Sequence, residues 1–190
     1  ALRLYFNQID NLGYGLTGTL GGSYLYFPYI AAYDTASQYA AADNTPIIVQ
    51  WDSLGGGSGF TLNTNSTATA SQTGWYKITY SLQFANSDNA QHDAIVWLKV
   101  NGSDLADSTT IFSIQARKSA GVYSYVCGYS EVVFKVNAGD VITLWWGTDV
   151  VATSGGAKGN YIYYKAAQTT PMAYPATPSA IGSITFVSNT

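Results

Sequence analysis

The sequence predicts an all-β domain, and three features of its composition and patterning support this fold class. Charged residues make up only 10% of the 190 residues and Glu occurs once, so little is available for the solvated faces of amphipathic helices. Aromatic residues reach 15% and Gly occurs 19 times, a composition typical of strands joined by tight turns. Short apolar stretches recur about every ten residues between turn residues. A chain of this length is expected to form one domain with its own core.

The first part of the chain, residues 1–59, is apolar and rich in glycine. An apolar stretch at 2–6 is followed by a glycine-rich turn region at 13–22 and an aromatic run at 24–29. Because such a segment would aggregate if exposed, we expect it to pack on the rest of the domain or on a partner chain. It contains one clear strand pattern, at residues 47–51.

Residues 75–84 have the clearest strand pattern, because apolar and polar residues alternate with period two. One face consists of Tyr76, Ile78, Tyr80, Leu82 and Phe84, and the other of Lys77, Thr79, Ser81 and Gln83. This alternation is typical of an antiparallel sheet with one apolar and one more polar side.

Further strands are predicted along the rest of the chain, at 94–100, 110–116 and 161–164. Two or three more are expected between residues 122 and 146, from the stretches 123–129, 131–136 and 141–146. Asn101–Gly102 is the strongest turn pattern. Pro171, Pro175 and Pro178 predict an extended connection, after which residues 181–187 are expected to dock as an edge strand. Many short strands with regular turns indicate a sandwich, a jelly roll or a closed barrel.

The residues that usually support catalysis are nearly absent. Residues 13–18 match the G-x-G-x-x-G pattern of dinucleotide sites, but more glycines follow where a helix would be needed. No Ser lies in G-x-S-x-G, and we interpret His92 as an exposed turn residue and Cys127 as a buried, unreactive thiol. We therefore predict that the protein is not an enzyme.

The titratable residues also argue against cofactors, metals and polyanionic partners. One His and one Cys cannot form a zinc site, and we predict no cofactor; a surface calcium ion near Asp88–Asn89 or Asp104 and Asp107 stays open. The net charge of −3 is scattered, which disfavours binding to nucleic acid. No apolar run is long enough for membrane insertion.

Adjacent aromatic residues at Trp145–Trp146 and Tyr163–Tyr164 indicate a contact beyond the single domain. Neighbouring side chains on a strand point to opposite faces, so both faces would be aromatic. A two-layer sandwich covers one face of each sheet, which leaves the other rings to be covered by another subunit or a ligand. Scattered surface tyrosines remain the alternative explanation.

Three motifs resemble, in their order, the jelly-roll heads of complement component one-q and its tumour necrosis factor relatives. They are Gly74–Tyr80, Leu98–Gly102 and Val136–Leu144. The resemblance implies a jelly-roll core at 60–165 that forms a tight homotrimer, with a Pro-containing extension and a terminal strand at 166–190. Complement or cytokine function is not implied.

By the same resemblance, the predicted strands at 75–84, 129–136 and 161–164 would line the threefold axis. The residues that it nominates for the trimer interface are Tyr76, Tyr80, Phe134, Tyr161 and Tyr163, or the residues that alternate with them.

The two ends of the sequence, residues 2–11 and 181–188, resemble the ends of virion proteins of tailed phages, especially those that infect cyanobacteria. This resemblance implies a structural or receptor-facing appendage, such as a head decoration, a knob or a fibre tip. The protein would be assembled in the host cytoplasm, would be located in the virion, and would have itself and other capsid or fibre proteins as partners.

The alternative function is that of a carbohydrate-binding module for glycans of the host surface. Such a module stacks sugar rings on aromatic side chains in loops, and the candidates near turn-rich segments are Trp51, Tyr33, Tyr39 and Tyr123. Because most aromatic residues fall inside predicted strands, we rank this function second.

Overall fold

The computed structural model describes residues 27–152 and 158–189, which form thirteen β-strands and no helix. The strands form two antiparallel sheets that pack face to face, so the predicted all-β jelly-roll sandwich is confirmed. The predicted features at residues 2–6 and 13–22, and the first part of the aromatic run, lie outside the described residues.

The chain crosses repeatedly from one sheet to the other. The first seven are β1 (Tyr29–Asp34), β2 (Ile47–Ile48), β3 (Ser53–Ser58), β4 (Phe60–Leu62), β5 (Ala68–Ala70), β6 (Gly74–Asn86) and β7 (His92–Val100). The others are β8 (Ser103–Asp104), β9 (Thr110–Ile114), β10 (Ser124–Val136), β11 (Val141–Thr148), β12 (Asn160–Ile162) and β13 (Ala180–Ser188).

Sheet 1 has the strand order β10-β6-β13-β1-β3, and β12 also pairs with β6. Sheet 2 has the order β4-β5-β11-β7-β8, with β2 paired to β11 and β9 to β7. Strands β1 to β3 and β13 lie outside the range 60–165 and still belong to these sheets. The sandwich is therefore built from the described parts of all three segments of the chain.

The alternation in β6 predicts its burial correctly. Its apolar residues from Tyr76 to Phe84 face the interior, whereas Lys77, Thr79, Ser81 and Gln83 point outward and are half-buried. The interior also contains Trp146, whose ring lies 6.1 Å from that of Phe84 across the sandwich. One continuous core thus joins the facing sides of the two sheets.

The turn at Asn101–Gly102 is also confirmed. Both residues have positive φ, 51° and 81°, as a two-residue hairpin turn of the mirror-image type requires. It joins β7 to β8, and the Asn101 side chain accepts a hydrogen bond from the backbone N–H of Val141 at 2.9 Å.

One prediction about strands is narrowed by the structure and another is wrong. Of the two or three strands expected between residues 122 and 146 there are two, because residues 123–129 and 131–136 fall on the single strand β10, which pairs with β6 from Ser124 to Val136. Residues 181–187 do not form an edge strand, because β13 lies between β6 and β1 and is hydrogen-bonded on both sides.

Candidate functional site

The five nominated interface residues face the interior or pack against one another. Tyr76, Tyr80 and Phe134 lie in the core between the sheets, and the Tyr76 side chain is fully buried. Tyr161 is 3% exposed and Tyr163 is half-buried. The alternation of β6 and β10 turns Tyr76, Tyr80 and Phe134 inward, so on these two strands the outward positions belong to the alternating residues that the prediction also allowed.

Tyr161 is the centre of a cluster of tyrosine rings at one end of sheet 1. Its ring stacks on Tyr39 at 5.1 Å and meets Tyr123 and Tyr163 edge-on at 6.3 and 5.7 Å. Burial, followed by the neighbouring phenols, raises the pKa of Tyr161, and the same causes raise the pKa of Tyr125 to about 12. Tyr161 and Tyr125 therefore stay neutral at physiological pH, and the cluster acts as packing.

The Trp145–Trp146 pair does point to opposite faces, but no second subunit is needed to cover it. Trp146 is fully buried in the core. The ring of Trp145 lies under the Lys99 ammonium, 4.5 Å from the ring centroid, and its indole N–H donates to the Thr143 hydroxyl at 2.9 Å. The expectation that this pair requires an external cover is therefore wrong. The most exposed aromatic rings on strands are those of sheet 1.

The outer face of sheet 1 exposes large apolar side chains on four of its strands. The central row crosses the sheet through residues that are paired between neighbouring strands. It consists of Tyr129 of β10, Ser81 of β6, Ile181 of β13 and Tyr33 of β1. Tyr129 is 57% exposed and Ile181 is 48% exposed. Other exposed members of this face are Tyr29, Trp75, Tyr125, Val133 and Val187. Together these side chains form an extended apolar surface.

Small residues line a depression at the centre of this face. It has a volume of about 210 Å³ and lies between Tyr129 and Ile181, with Thr79 and Ser183 in its floor. The hydroxyl groups of Thr79 and Ser183 are hydrogen-bonded to each other at 2.7 Å. The hydroxyl groups in the floor thus satisfy each other. The depression is a shallow concave surface that could accept a side chain of another molecule.

The outer face of sheet 1 has few charges. Lys77 and Glu131 form an ion pair with 3.7 Å between the ammonium nitrogen and the carboxylate oxygen. Cys127 lies on the same face and is exposed, so the prediction of a buried thiol is wrong. The reason is the alternation of β10, which places Cys127 outward together with Tyr125 and Tyr129.

His92 is not an exposed turn residue, which corrects a second prediction. It is buried, and its two ring nitrogens lie 3.0 Å from Asp88 Oδ2 and 3.1 Å from Asp149 Oδ2. Burial alone would lower its pKa, but the hydrogen bonds and charges of the two carboxylates outweigh this effect and raise it. Asp149 lies 57 residues further along the chain, so no local sequence pattern indicates the contact.

Most of the aromatic side chains predicted to stack on sugars pack against other residues of the protein. Tyr39 and Tyr123 contact Tyr161, and Trp51 packs against the hydrophobic core. Tyr33 lies on β1, within the outer face of sheet 1. None of these four residues forms an open stacking platform in a loop.

Clustered metal ligands and membrane-spanning helices are two further features that would indicate a functional site. Within residues 27–152 and 158–189, no three His, Cys, Asp or Glu side chains are grouped so as to hold a metal ion. Asp104, a calcium candidate in the sequence, accepts a hydrogen bond from Trp97 at 2.7 Å and pairs with Lys99 at 3.3 Å. The described residues also contain no helix with the length and hydropathy needed to cross a membrane.

Comparisons with known proteins add one structural likeness. No family model and no curated protein matches the sequence. Among solved structures, murine APRIL at pH 5.0 is similar, with a TM-score of 0.47 and 15% sequence identity, over 85% of this chain and 100% of that one. The jelly-roll assignment itself rests on the strand order and pairing described above.

Proposed function

We propose that this protein is a non-enzymatic structural protein that forms a homotrimer through the outer face of sheet 1. The observation that supports this most directly is the extended apolar surface on that face, with Tyr129 and Ile181 at its centre. Monomeric proteins rarely expose an apolar surface of this kind without a partner. The resemblance of the three ordered motifs to the complement-head family supports a trimer.

The chemistry of the surface suits a permanent contact between identical chains. Aromatic rings and aliphatic side chains at its centre, with few charges, are typical of homo-oligomer interfaces. The central depression between Tyr129 and Ile181 offers room for a side chain of a neighbouring copy. Each large apolar side chain that becomes fully buried on assembly would contribute about 1.5–3 kcal/mol.

Trimerisation is tested by placing a charge at the centre of the surface. Ile181→Asp would bury an unpaired carboxylate in the interface, so we expect a monomer, whereas the wild type has the mass of three 20.3 kDa chains. Ile111→Asp is the matched control, because Ile111 is 62% exposed on the outer face of sheet 2. Size-exclusion chromatography with light scattering gives the masses. A monomeric wild type at micromolar concentration would contradict the proposal.

We further propose that the trimer is an outer component of a tailed-phage virion, such as a head decoration, a knob or a fibre tip. The resemblance of residues 2–11 and 181–188 to the ends of phage virion proteins supports this assignment. Quantitative mass spectrometry of purified particles is expected to find the chain in a copy number divisible by three. Its absence from the particles would refute the assignment.

A second candidate function is carbohydrate binding, and one structural observation favours it. A groove on the outer face of sheet 2 combines the ring of Trp97 with carboxylate and amide groups, the combination that small polar ligands require. Binding of a host glycan would be compatible with assembly through sheet 1, because the two surfaces are on opposite sides of the sandwich.

A further inference from the structure

The groove on the outer face of sheet 2 lies between β7 and the chain segment that precedes β2. Its volume is about 260 Å³. Pockets for drug-sized ligands usually measure about 300–1,000 Å³, so this groove is suited to something smaller, such as a single sugar ring. Apolar side chains of β7 line one part of the groove, and polar residues from β7, from the end of β11 and from the segment before β2 line the rest.

Trp97 and Ile95 form the apolar wall of the groove. The indole N–H of Trp97 donates to Asp104 Oδ1 at 2.7 Å, which fixes the orientation of the ring. The neighbouring Trp145 is covered by Lys99, but no ring or cation among the described residues lies over Trp97. Trp97 therefore has an oriented and half-exposed ring without an aromatic or cationic partner.

Gly147 opens the floor of the groove. It lies opposite Ile95 in the pairing of β7 with β11, at an outward-facing position. A Cβ added there would lie 3.5 Å from the Cα of Pro46, an ordinary contact, so the space would accept at least a methyl group. Glycine inside a strand often marks a place where a ligand or another backbone approaches closely.

Polar groups surround this apolar wall and floor. Asp93 Oδ1 accepts a hydrogen bond from the Ser113 hydroxyl, and no hydrogen bond among the described residues reaches Asp93 Oδ2. The backbone N–H of Asn44 donates to the Thr148 carbonyl at 2.8 Å, which places the exposed Asn44 amide at the rim. Asp149 Oδ1 accepts from the backbone N–H of Asp93 at 3.1 Å and holds that residue in position.

We propose that this groove binds one neutral sugar ring of a glycan. The C–H face of a pyranose would stack on Trp97 and Ile95. Its hydroxyl groups would donate to the free oxygen of Asp93 and exchange hydrogen bonds with the Asn44 amide, which both donates and accepts. Because the lining has two carboxylates and no Lys or Arg, anionic sugars are disfavoured. The proposal rests on the carbohydrate-binding candidate above and is independent of trimerisation.

The binding test compares the wild type with two groove variants and one control. Trp97→Ala removes the stacking surface, and Gly147→Leu fills the groove but keeps Trp97 in place. Ile111→Ala changes an exposed residue of the same sheet outside the groove lining. The probes are methyl glycosides of neutral hexoses, 6-deoxyhexoses and N-acetylhexosamines, with N-acetylneuraminic acid and lysine methyl ester as charged comparisons. Titration is followed by protein NMR, and circular dichroism checks that each variant is folded.

We expect at least one neutral glycoside to bind the wild type and the control equally, and its affinity to fall by about tenfold or more in both groove variants. If no neutral glycoside binds, both the groove assignment and the carbohydrate-binding function are refuted. If one binds and both folded variants retain the affinity, only the groove assignment is refuted. Preference for the amine probe over every sugar would overturn the ligand class.

Discussion

At the scale of single residues, His92 links three parts of the chain. Its ring joins Asp88, in the loop between β6 and β7, to Asp149, directly after β11. The charged imidazolium can donate to both carboxylates at once, whereas the neutral ring can donate to only one. The protonation state of one side chain therefore affects how firmly these segments are held together.

The pKa directions determine how this contact depends on pH. The pKa of His92 is raised above 6.5, so its contribution to stability is fully present below that value and is lost as pH rises through the folded-state pKa. A hydrogen bond from His92 lowers the pKa of Asp88. Burial would raise the pKa of Asp149, but the hydrogen bond and charge of His92, together with the backbone N–H groups of Val150 and Asp93, lower it. Those contributions are lost as pH falls below about 4. The contact is strongest between roughly pH 4 and 6.5.

We predict that His92→Asn removes this pH dependence. The wild-type urea midpoint should fall between pH 6 and pH 8.5, and the variant should lose about 1–3 kcal/mol at pH 5.5 through the missing charged hydrogen bonds. Equilibrium urea unfolding at several pH values measures both effects. Equal slopes of midpoint against pH in the two proteins would contradict this role for His92.

The sequence is informative about residues whose environment follows from local alternation. Tyr76 and Tyr80 are buried as the period-two pattern requires, so the residues of β6 that alternate with them, which the family resemblance equally allows, are the ones on the outer face. The environment of His92 could not be predicted, because it depends on Asp149 and thus on tertiary pairing. Cys127 could have been placed outward by extending the alternation of β10 back from Tyr129.

At the scale of elements, the packing of β10 and β6 against the core requires a glycine, without a side chain, at one position of β10. Gly128 of β10 lies opposite Leu82 and faces the core. A Cβ at this position would lie 2.7 Å from the ring of Phe84 and 3.2 Å from that of Phe112. These two rings fill the space that any other residue would occupy, and both lie in a packed core that does not yield easily.

We predict that Gly128→Ala destabilises the domain by about 1–3 kcal/mol, the usual cost of overpacking. Gly147→Ala is the matched control, because its new methyl group would meet Pro46 at an ordinary contact distance. Both glycines lie within strands, so differences in backbone entropy largely cancel between the two variants. Urea unfolding of both variants tests this, and similar midpoints would show that the rings of Phe84 and Phe112 move aside.

The strands show which features of a sequence predict an element well. The pattern of β6 is clear because one face is apolar and the other polar. In β10, Gly128 and Ser130 interrupt the apolar pattern, which gives the impression of two strands although the backbone pairs continuously. Strand β13 has Gly182 and Ser183 at its centre, a composition typical of an edge, yet Gly182 is the position where the Trp51 ring packs.

At the scale of the whole molecule, Cys127 reports on assembly. It lies on the outer face of sheet 1, between Tyr125 and Tyr129 on the same side of β10. We predict that the wild-type trimer shields this thiol, so that its reaction with a disulfide reagent is at least about tenfold slower than in the Ile181→Asp monomer. Absorbance of the released thiolate gives the rates. Equal rates in a trimer and a monomer would place the contact on another face.

For the molecule as a whole, composition and strand spacing suffice to predict an all-β sandwich, because the low charge leaves no alternative to sheets. Which aromatic side chains are shielded by other residues, and which stay exposed, could not be predicted. Trp145 is shielded by Lys99, a residue on another strand, whereas Ile181 and Tyr129 become neighbours on one surface only through the order of strands in sheet 1. Sites that depend on strand order require the tertiary structure.

The central place of β13 in sheet 1 has a consequence for synthesis of the chain on the ribosome. Tyr29 of β1 pairs with Thr185, and Lys77 of β6 pairs with the same residue from the other side. Until β13 emerges, β1 and β6 each have an open edge that can pair with another nascent chain. Sheet 1 can close only after the other twelve strands described here have been synthesised, and slow translation before β13 should increase aggregation of this protein.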